Sequence, residues 1–204
     1  MYPPSMQGPA KDRSEEVDTS RRFSEVYFGY ASNLAPSTMK GRCPDSVFCG
    51  LAKLKGWRWQ INSTRYANIV PSEEHTVYGA LFFLSPRDEA GLDHSEGVPW
   101  LYEKQWLECE RVQPDGNGTG QTVPCMTYVD VQRPDEGVIE PDYVVWINKA
   151  IREAKPYGLP ADYVENNIRK YIPPTSPEEE AREIQMIRVM APRARPGGGG
   201  GPGG

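Results

Sequence analysis

The hydrophobic pattern of the chain changes its period near residue 140. Before that point, short segments rich in aromatic and β-branched residues alternate with turn signals, as is typical of β-strands. From Pro141 to Ala154, apolar residues recur at helical spacing. Strands followed by helices predict an α+β domain, built on a curled or closed mixed sheet with helices around it.

The predicted elements follow from this pattern and from local breaker residues. We predict strands over residues 26–30, 47–54, 57–61, 66–70, 77–84, 102–112 and 123–131. Helices are predicted from Pro36, from Pro86 to about His94, from Pro141 to a break at residues 157–160, over residues 161–171, and from Ser176 to Met190. Ser85 before Pro86 has the character of an N-cap followed by proline in the first turn.

Composition divides the chain into three parts. Residues 1–22 are polar and rich in proline, serine and charge, which predicts a disordered arm. Residues 191–204 are rich in glycine and proline and predict a flexible tail. Residues 23–190 are therefore the predicted folded domain.

Charge and hydropathy exclude several classes of function. The net charge is −5, from 23 basic and 28 acidic residues, which argues against a nucleic-acid binder. Trp57 and Trp59, although they flank Arg58, are accordingly expected in the core and not in base stacking. No run approaches the roughly 18 apolar residues of a membrane span, and the N-terminus lacks the apolar centre of a signal peptide. We therefore expect a cytoplasmic protein without a membrane partner.

The cysteines do not have the spacing of a metal site. Cys43, Cys49, Cys109 and Cys125 form no Cys-x-x-Cys pair, and the chain has 2 histidines. In a reducing compartment we expect free thiols and not a disulfide framework. No metal is predicted.

The first predicted strand runs into a loop of small and polar residues. Small residues let the backbone approach a ligand closely, and consecutive N–H groups in such a turn can bind an anion. The alternative is an ordinary turn in which Asn33 satisfies its own backbone. The binding interpretation assigns ligand contacts to Tyr27, Phe28, Gly29, Tyr30, Ala31, Ser32, Asn33 and Leu34.

A second segment, some sixty residues later, supplies a carboxylate. Glu96 lies in a turn between Ser95 and Gly97, where a glutamate is most often simply solvated. Trp100 and Tyr102 follow closely and could desolvate the carboxylate, which would make it a better base. His94 is the second candidate for a general base.

Four short motifs occur in a characteristic order. They are Tyr-Ala-Ser-Asn-Leu at residues 30–34, Asp-x-x-Glu-Gly at 93–97, Pro-x-Tyr at 141–143 and Gly-Leu-Pro at 158–160. Together they resemble the γ-glutamylcyclotransferase (AIG2-like) family over roughly residues 26–172. The family usually has glycine at the position of Ala31. If that position needed a positive φ, alanine would cost roughly 1 kcal/mol or more.

The resemblance implies a small mixed β-barrel with peripheral helices and a carbon–nitrogen lyase without a cofactor. The free α-amine of a γ-glutamyl amino acid or peptide would attack its own γ-carbonyl, releasing 5-oxoproline. Glu96 would accept the proton, backbone N–H groups of the 30–33 loop would hold the oxyanion, and Tyr102 and Tyr143 would contact the substrate. A homodimer would also fit the family.

Two alternatives remain at this point. The same chemistry could remove a γ-glutamyl group from a glutathione adduct in secondary metabolism. The chain could also be a non-catalytic small-molecule binding protein on the same fold, an idea that rests on the departure at Ala31.

Overall fold

Five strands close into a barrel at the centre of the computed structural model, which describes residues 25–190. The strands are β1 (Glu25–Gly29), β2 (Val47–Ile61), β3 (Ala67–Leu84), β4 (Glu103–Val112) and β5 (Gly118–Val129). Their order around the barrel is β1-β3-β2-β4-β5. Neighbours are antiparallel except where β1 closes the barrel against β5, in parallel, at Tyr27 and Met126. The predicted α+β class and mixed barrel are confirmed.

The predicted arm (1–22) and tail (191–204) lie outside the described residues. Within those residues, no helix is both long enough and apolar enough to cross a membrane. The same part of the chain contains no group of three or more His, Cys, Asp or Glu side chains placed to hold a metal ion. All four cysteines are free thiols, as predicted.

The second and third strands are longer than the sequence predicts. Residues 47–54 and 57–61 belong to one strand, β2, and residues 66–70 and 77–84 fall almost wholly in another, β3. The apparent break in β2 is a register shift between Lys55 and Trp57. A bulge of this kind bends a strand without ending it. The polar residues 71–76 suggest a loop, but at Pro71 and Thr76 the chain still pairs with β2.

The helices surround the barrel. They are α1 (Pro36–Arg42), α2 (Pro86–Ser95), α3 (Pro141–Ala154), α4 (Ala161–Tyr163) and α5 (Pro177–Met190). The predicted helix over 161–171 is wrong in its extent, because α4 passes into a π-helical turn at Val164–Ile168. Ser85 caps α2 as predicted, since its hydroxyl accepts the N–H of Asp88 at 3.2 Å.

The core fills the barrel and the space beneath α3. Trp59 is 2% exposed, and its indole N–H donates to the carbonyl of Tyr30 at 3.0 Å, so it is a core residue as expected. The apolar stripe of α3 is buried, as its helical spacing predicts; it comprises Val145, Ile147, Ala150, Ile151 and Ala154. The packing of Trp59 against the barrel therefore also fixes the end of β1, where the predicted binding loop begins.

One contact in this core predicts a large effect on stability. A Cβ atom on Gly79 would lie 2.5 Å from Cζ of Phe28, whose ring is fully buried. We expect Gly79→Ala to lower the free energy of unfolding by about 2 kcal/mol, since an overpacked core must shift side chains or backbone. Urea unfolding monitored by circular dichroism measures this.

The matched control for Gly79→Ala is Gly91→Ala in α2. A Cβ at Gly91 meets nothing within 4 Å. Alanine in a helix interior is favoured over glycine by about 0.5–1 kcal/mol, so this variant should be as stable as the wild type or more so. Equal stability of both variants would contradict the predicted clash at Phe28.

Candidate active site

A cavity of about 360 Å³ opens between the end of β1, the end of α2 and the start of α3. Its wall is mainly aromatic. Six of the eleven tyrosines of the chain line it: Tyr27, Tyr30, Tyr66, Tyr102, Tyr128 and Tyr143. A volume of this size, with a few converging polar groups, is typical of a small-molecule site.

Glu96 reaches the cavity because α2 ends there. It is the C-cap residue of α2, and Gly97 follows with φ of 66°. Glycine is the usual residue at such a left-handed helix end. A Cβ at Gly97 would also lie 2.9 Å from Cδ1 of Leu101. The Glu-Gly step is therefore a helix terminus that turns the chain and leaves the carboxylate at the cavity, with its side chain 20% exposed.

Arg42, at the end of α1, connects the acid to the loop after β1. Its Nη2 lies 2.9 Å from Oε1 of Glu96 and donates to Oγ of Ser95 at 2.6 Å. Its Nη1 donates to Oδ1 of Asn33 at 2.6 Å. Within residues 25–190, the other oxygen of Glu96, Oε2, has no hydrogen-bond partner and can face a ligand.

The guanidinium of Arg42 stays protonated. Burial is the largest influence and would lower the pKa of the guanidinium, but the Glu96 carboxylate, with smaller contributions from Tyr27 and Cys43, raises the pKa overall. The ion pair therefore orients Oε1 of Glu96 towards Arg42, and with it the whole carboxylate.

Asp93 holds the end of α2 against the barrel. Its Oδ1 accepts the hydroxyl of Tyr128 at 2.7 Å, and its Oδ2 lies 2.7 Å from Nζ of Lys104 on β4. The Asp of the Asp-x-x-Glu-Gly motif thus serves to position the helix that carries Glu96.

The tyrosine hydroxyls are mostly fixed by the protein itself. Tyr27 accepts the side-chain N–H of Asn33 at 2.9 Å. Tyr30 donates to the carbonyl of Tyr128 at 2.7 Å, and Tyr102 donates to the carbonyl of Ala67 at 3.0 Å. These bonds make the wall rigid before any ligand binds.

Burial raises the pKa of the tyrosines in this wall. Desolvation is the main cause at Tyr27, Tyr30 and Tyr102, and the nearby Glu96 charge adds to it. Desolvation also raises the pKa of Tyr143 to about 12, although hydrogen bonding with Ser32 opposes the shift. These hydroxyls are neutral near pH 7, so they can orient a ligand but cannot act as bases.

The loop after β1 forms a short 3-10 turn at Ser32–Leu34. The first backbone N–H groups of a helical turn have no carbonyl acceptor inside that turn. The N–H groups of Ser32 and Asn33 are in this position. Ala31 precedes the turn with φ of −126°. The positive φ on which the expected strain at Ala31 depends is therefore absent.

The structure brings most of the predicted site residues together at the cavity. Those that line it are Glu96, Tyr27, Tyr30, Ala31, Ser32, Asn33, Tyr102 and Tyr143. Three others lie outside it. Phe28 is 0% and Leu34 is 2% exposed, both in the core, and Gly29 lies against the backbone of Asn33.

Two nearby residues that the sequence suggested also lie apart from the cavity. His94 is exposed in the last turn of α2 and does not line the cavity, so it is not placed to act as the base. Trp100 is 83% exposed, so it does not form the apolar wall expected for Glu96. That wall is formed by Tyr102 together with tyrosines of β1, β5, α3 and the loops beside the strands.

Six cavity residues were not predicted. They are Arg42, Tyr66, Ala67, Ser95, Leu101 and Tyr128. The partner of Arg42, Glu96, is 54 positions away, and nothing local in the sequence joins the two. The excess of tyrosine was the one usable signal for Tyr66 and Tyr128, but it does not distinguish the wall from the core.

Comparison with known proteins gives a family and a fold. A model of the family described as gamma-glutamyl cyclotransferase, AIG2-like, matches residues 27–147. No curated protein sequence matches the chain significantly.

Solved structures match over most of the described chain. One named "Gamma-glutamyl cyclotransferase" has 22% identity and a TM-score of 0.63, covering 79% of this chain and 98% of the other. A human protein described as uncharacterized has 23% identity and a TM-score of 0.62, with coverages of 78% and 98%. YkqA from Bacillus subtilis has 18% identity and a TM-score of 0.51, with coverages of 80% and 54%. These likenesses show that the fold is shared.

Proposed function

The chain belongs to the gamma-glutamyl cyclotransferase, AIG2-like family, and on that premise we propose that it converts γ-glutamyl amino acids or peptides into 5-oxoproline. One observation supports this above the others. Glu96 presents an oxygen that has no partner among residues 25–190 to a cavity whose tyrosine wall is hydrogen-bonded to the protein, beside the N–H groups of the 3-10 turn at Ser32–Leu34.

The proposed reaction is an intramolecular aminolysis. The γ-glutamyl α-amine loses a proton to Oε2 of Glu96 and attacks the γ-carbonyl carbon of the same residue. A carbon–nitrogen bond forms in the five-membered ring, and the original amide carbon–nitrogen bond breaks. The proton returns from Glu96 to the leaving amine, so water is not consumed and Glu96 is regenerated.

The cavity would contribute by folding the substrate. A γ-glutamyl chain in solution samples many rotamers, and few bring its amine to its own carbonyl. A wall whose hydroxyls are already fixed by Asn33, Ala67 and the Tyr128 carbonyl does not have to reorganise on binding. Positioning of this kind can supply several kcal/mol of the barrier.

The turn after β1 would stabilise the charge that develops on the carbonyl oxygen. The Ser32 and Asn33 N–H groups start the turn, and both residues line the cavity. One preorganised donor of this kind is typically worth about 3 kcal/mol. Because Ala31 adopts a negative φ, the departure from the family's glycine gives no reason to regard this cradle as defective.

The test is release of 5-oxoproline by purified full-length protein. The panel contains γ-glutamyl-alanine, glutathione, a γ-glutamylamine and a glutathione S-conjugate, each followed by chromatography of both products. We expect 5-oxoproline and the free amine or peptide in equal amounts from at least one compound, without added metal. Binding of these compounds with no 5-oxoproline from any of them would contradict the proposal and favour the non-catalytic alternative.

A further inference from the structure

A second cavity of about 450 Å³ adjoins the first, and its lining is positively charged. The two cavities share Ser32, Arg42 and Tyr143. The second, which we call the cationic chamber, lies between α1, α3 and α5 and is otherwise lined by Ser37, Thr38, Gly41, Trp146, Lys149 and Arg188. A ligand that extends past these three shared residues would occupy both cavities.

Lys149 and Arg188 flank one aromatic ring in this chamber. Nζ of Lys149 lies 5.6 Å from the centroid of the Trp146 ring, and the guanidinium carbon of Arg188 lies 6.0 Å from it. Cations at this range are attracted to the ring face, so Trp146 helps to hold both charges in the chamber.

Lys149 is fixed by a hydrogen bond, whereas Arg188 is an exposed side chain on a helix that is held in place. Nζ of Lys149 donates to Oγ1 of Thr38 at 3.1 Å. Arg188 is carried by α5, which is held on α3 by an ion pair between Arg152 and the buried carboxylate of Glu180. The chamber is thus assembled from three helices.

The positive charge is only partly neutralised, since Arg42 pairs with Glu96 and Lys149 with Glu153. Among residues 25–190, no aspartate or glutamate lines the chamber, and Arg188 has no ion-pair partner. The carboxylate nearest to Lys149 is that of Glu153, at 3.7 Å, and it also accepts the N–H and hydroxyl of Ser37. Lys149 and Arg188 lie beside one tryptophan, and the carboxylate of Glu153 that pairs with Lys149 is shared with Ser37. Such a pair of cations suits an anionic group of a ligand.

We propose that the cationic chamber binds the leaving group of the substrate and selects leaving groups that carry a carboxylate. This rests on the proposed function, with the γ-glutamyl part in the first cavity and the scissile amide between Ser32 and Tyr143. Lys149 and Arg188 bind the carboxylate of an amino acid or short peptide. A γ-glutamylamine, whose leaving group carries no carboxylate, gains nothing from these two residues.

The experiment compares two substrates that differ only in that carboxylate. They are γ-glutamyl-alanyl-glycine and the same compound with a C-terminal amide. For the wild type we expect kcat/KM for 5-oxoproline release to be at least about tenfold higher with the acid, the size of one charge-assisted contact. The preference should weaken when the ionic strength is raised to about 1 M, where screening is strong.

The variants Arg188→Gln and Lys149→Met should each reduce the ratio of the two kcat/KM values about five- to tenfold. The matched control is Arg182→Gln, which removes an exposed arginine from the same helix but outside the chamber. Arg182→Gln should keep the wild-type ratio. A ratio near one in the wild type, or an unchanged ratio in both chamber variants, would overturn the proposal.

Product binding separates this inference from the proposed function. The leaving peptide, alanyl-glycine, and its amide are titrated into the wild type and Arg188→Gln by calorimetry. Tighter binding of the acid, lost in Arg188→Gln, supports the chamber independently of turnover. Release of 5-oxoproline without preference for the acid refutes the chamber alone, whereas acid-selective binding without release refutes the proposed reaction.

Discussion

Replacing Glu96 by glutamine is expected to reduce kcat/KM for 5-oxoproline release by about 1000-fold, while the protein still folds. General acid–base catalysis by one positioned side chain typically contributes between about 100- and 10,000-fold. Glutamine has the size of glutamate, and its amide oxygen can still accept the bond from Nη2 of Arg42. What it lacks is the basic Oε2 that we assign to the proton transfer.

The measurement for Glu96→Gln pairs product release with a thermal melt. Glu89→Gln is the matched control, because Glu89 is also a partly buried, ion-paired glutamate of α2, bound to Lys104 at 2.6 Å and outside the cavity. This control should retain kcat/KM within about twofold, because Glu89 lies outside the cavity and a glutamine amide oxygen can still accept from Nζ of Lys104. Unchanged turnover in Glu96→Gln would remove Glu96 from the mechanism.

Removing the charge of Arg42 should have the second largest effect on turnover. Arg42→Met deprives Glu96, Ser95 and Asn33 of their shared donor. The acid and the turn after β1 would then no longer be held in one geometry. We expect kcat/KM to fall by about 100-fold, which a displacement of about 1 Å can cause, and kcat to fall more than KM rises.

Arg42→Met should also lower the free energy of unfolding, by a moderate amount. Half-buried acceptors left without a donor cost about 1–3 kcal/mol. Arg42→Lys restores a cation but not a planar fork that reaches Asn33 and Glu96 at once, so it should recover only part of the lost kcat. That partial rescue would mark Arg42 as a positioning residue.

The control for Arg42→Met is Arg87→Met. Arg87 also forms an arginine–carboxylate pair, with Asp45 at 2.7 Å, but its side chain is 72% exposed and lies far from the cavity lining. It should keep the wild-type kcat and KM. Full activity in Arg42→Met would show that Glu96 needs no such support.

Much of the architecture follows from local patterns. The apolar spacing after Pro141 predicted α3 with its correct start, and Ser85 before Pro86 predicted the start of α2. The errors lie where a bulge or a polar run interrupts a strand. Gly56, at the register shift in β2, has a φ of 81°. A glycine inside an apolar pattern can mark either a bulge or the end of a strand, so one long strand was predicted as two.

The candidate site divides in a similar way. Glu96 and the loop at 30–33 could be chosen from the sequence because they lie in short contiguous motifs, and the structure places them on one cavity. Phe28 in β1 and Leu34 in the turn that follows belong to the same predicted binding segment but pack into the core. A loop sequence does not say which of its side chains face inward, since that depends on the barrel that it closes.

By itself, the sequence determined the α+β class and the family, and it selected Glu96 as the candidate acid, because these depend on periodicity and on residues close together in the chain. Only the tertiary structure decided that Arg42 pairs with Glu96, that Asp93 anchors α2 through Tyr128, and that Lys149 and Arg188 share a chamber. The physical reason is that these contacts join residues 35 or more positions apart, which closure of the barrel and packing of α5 on α3 bring together.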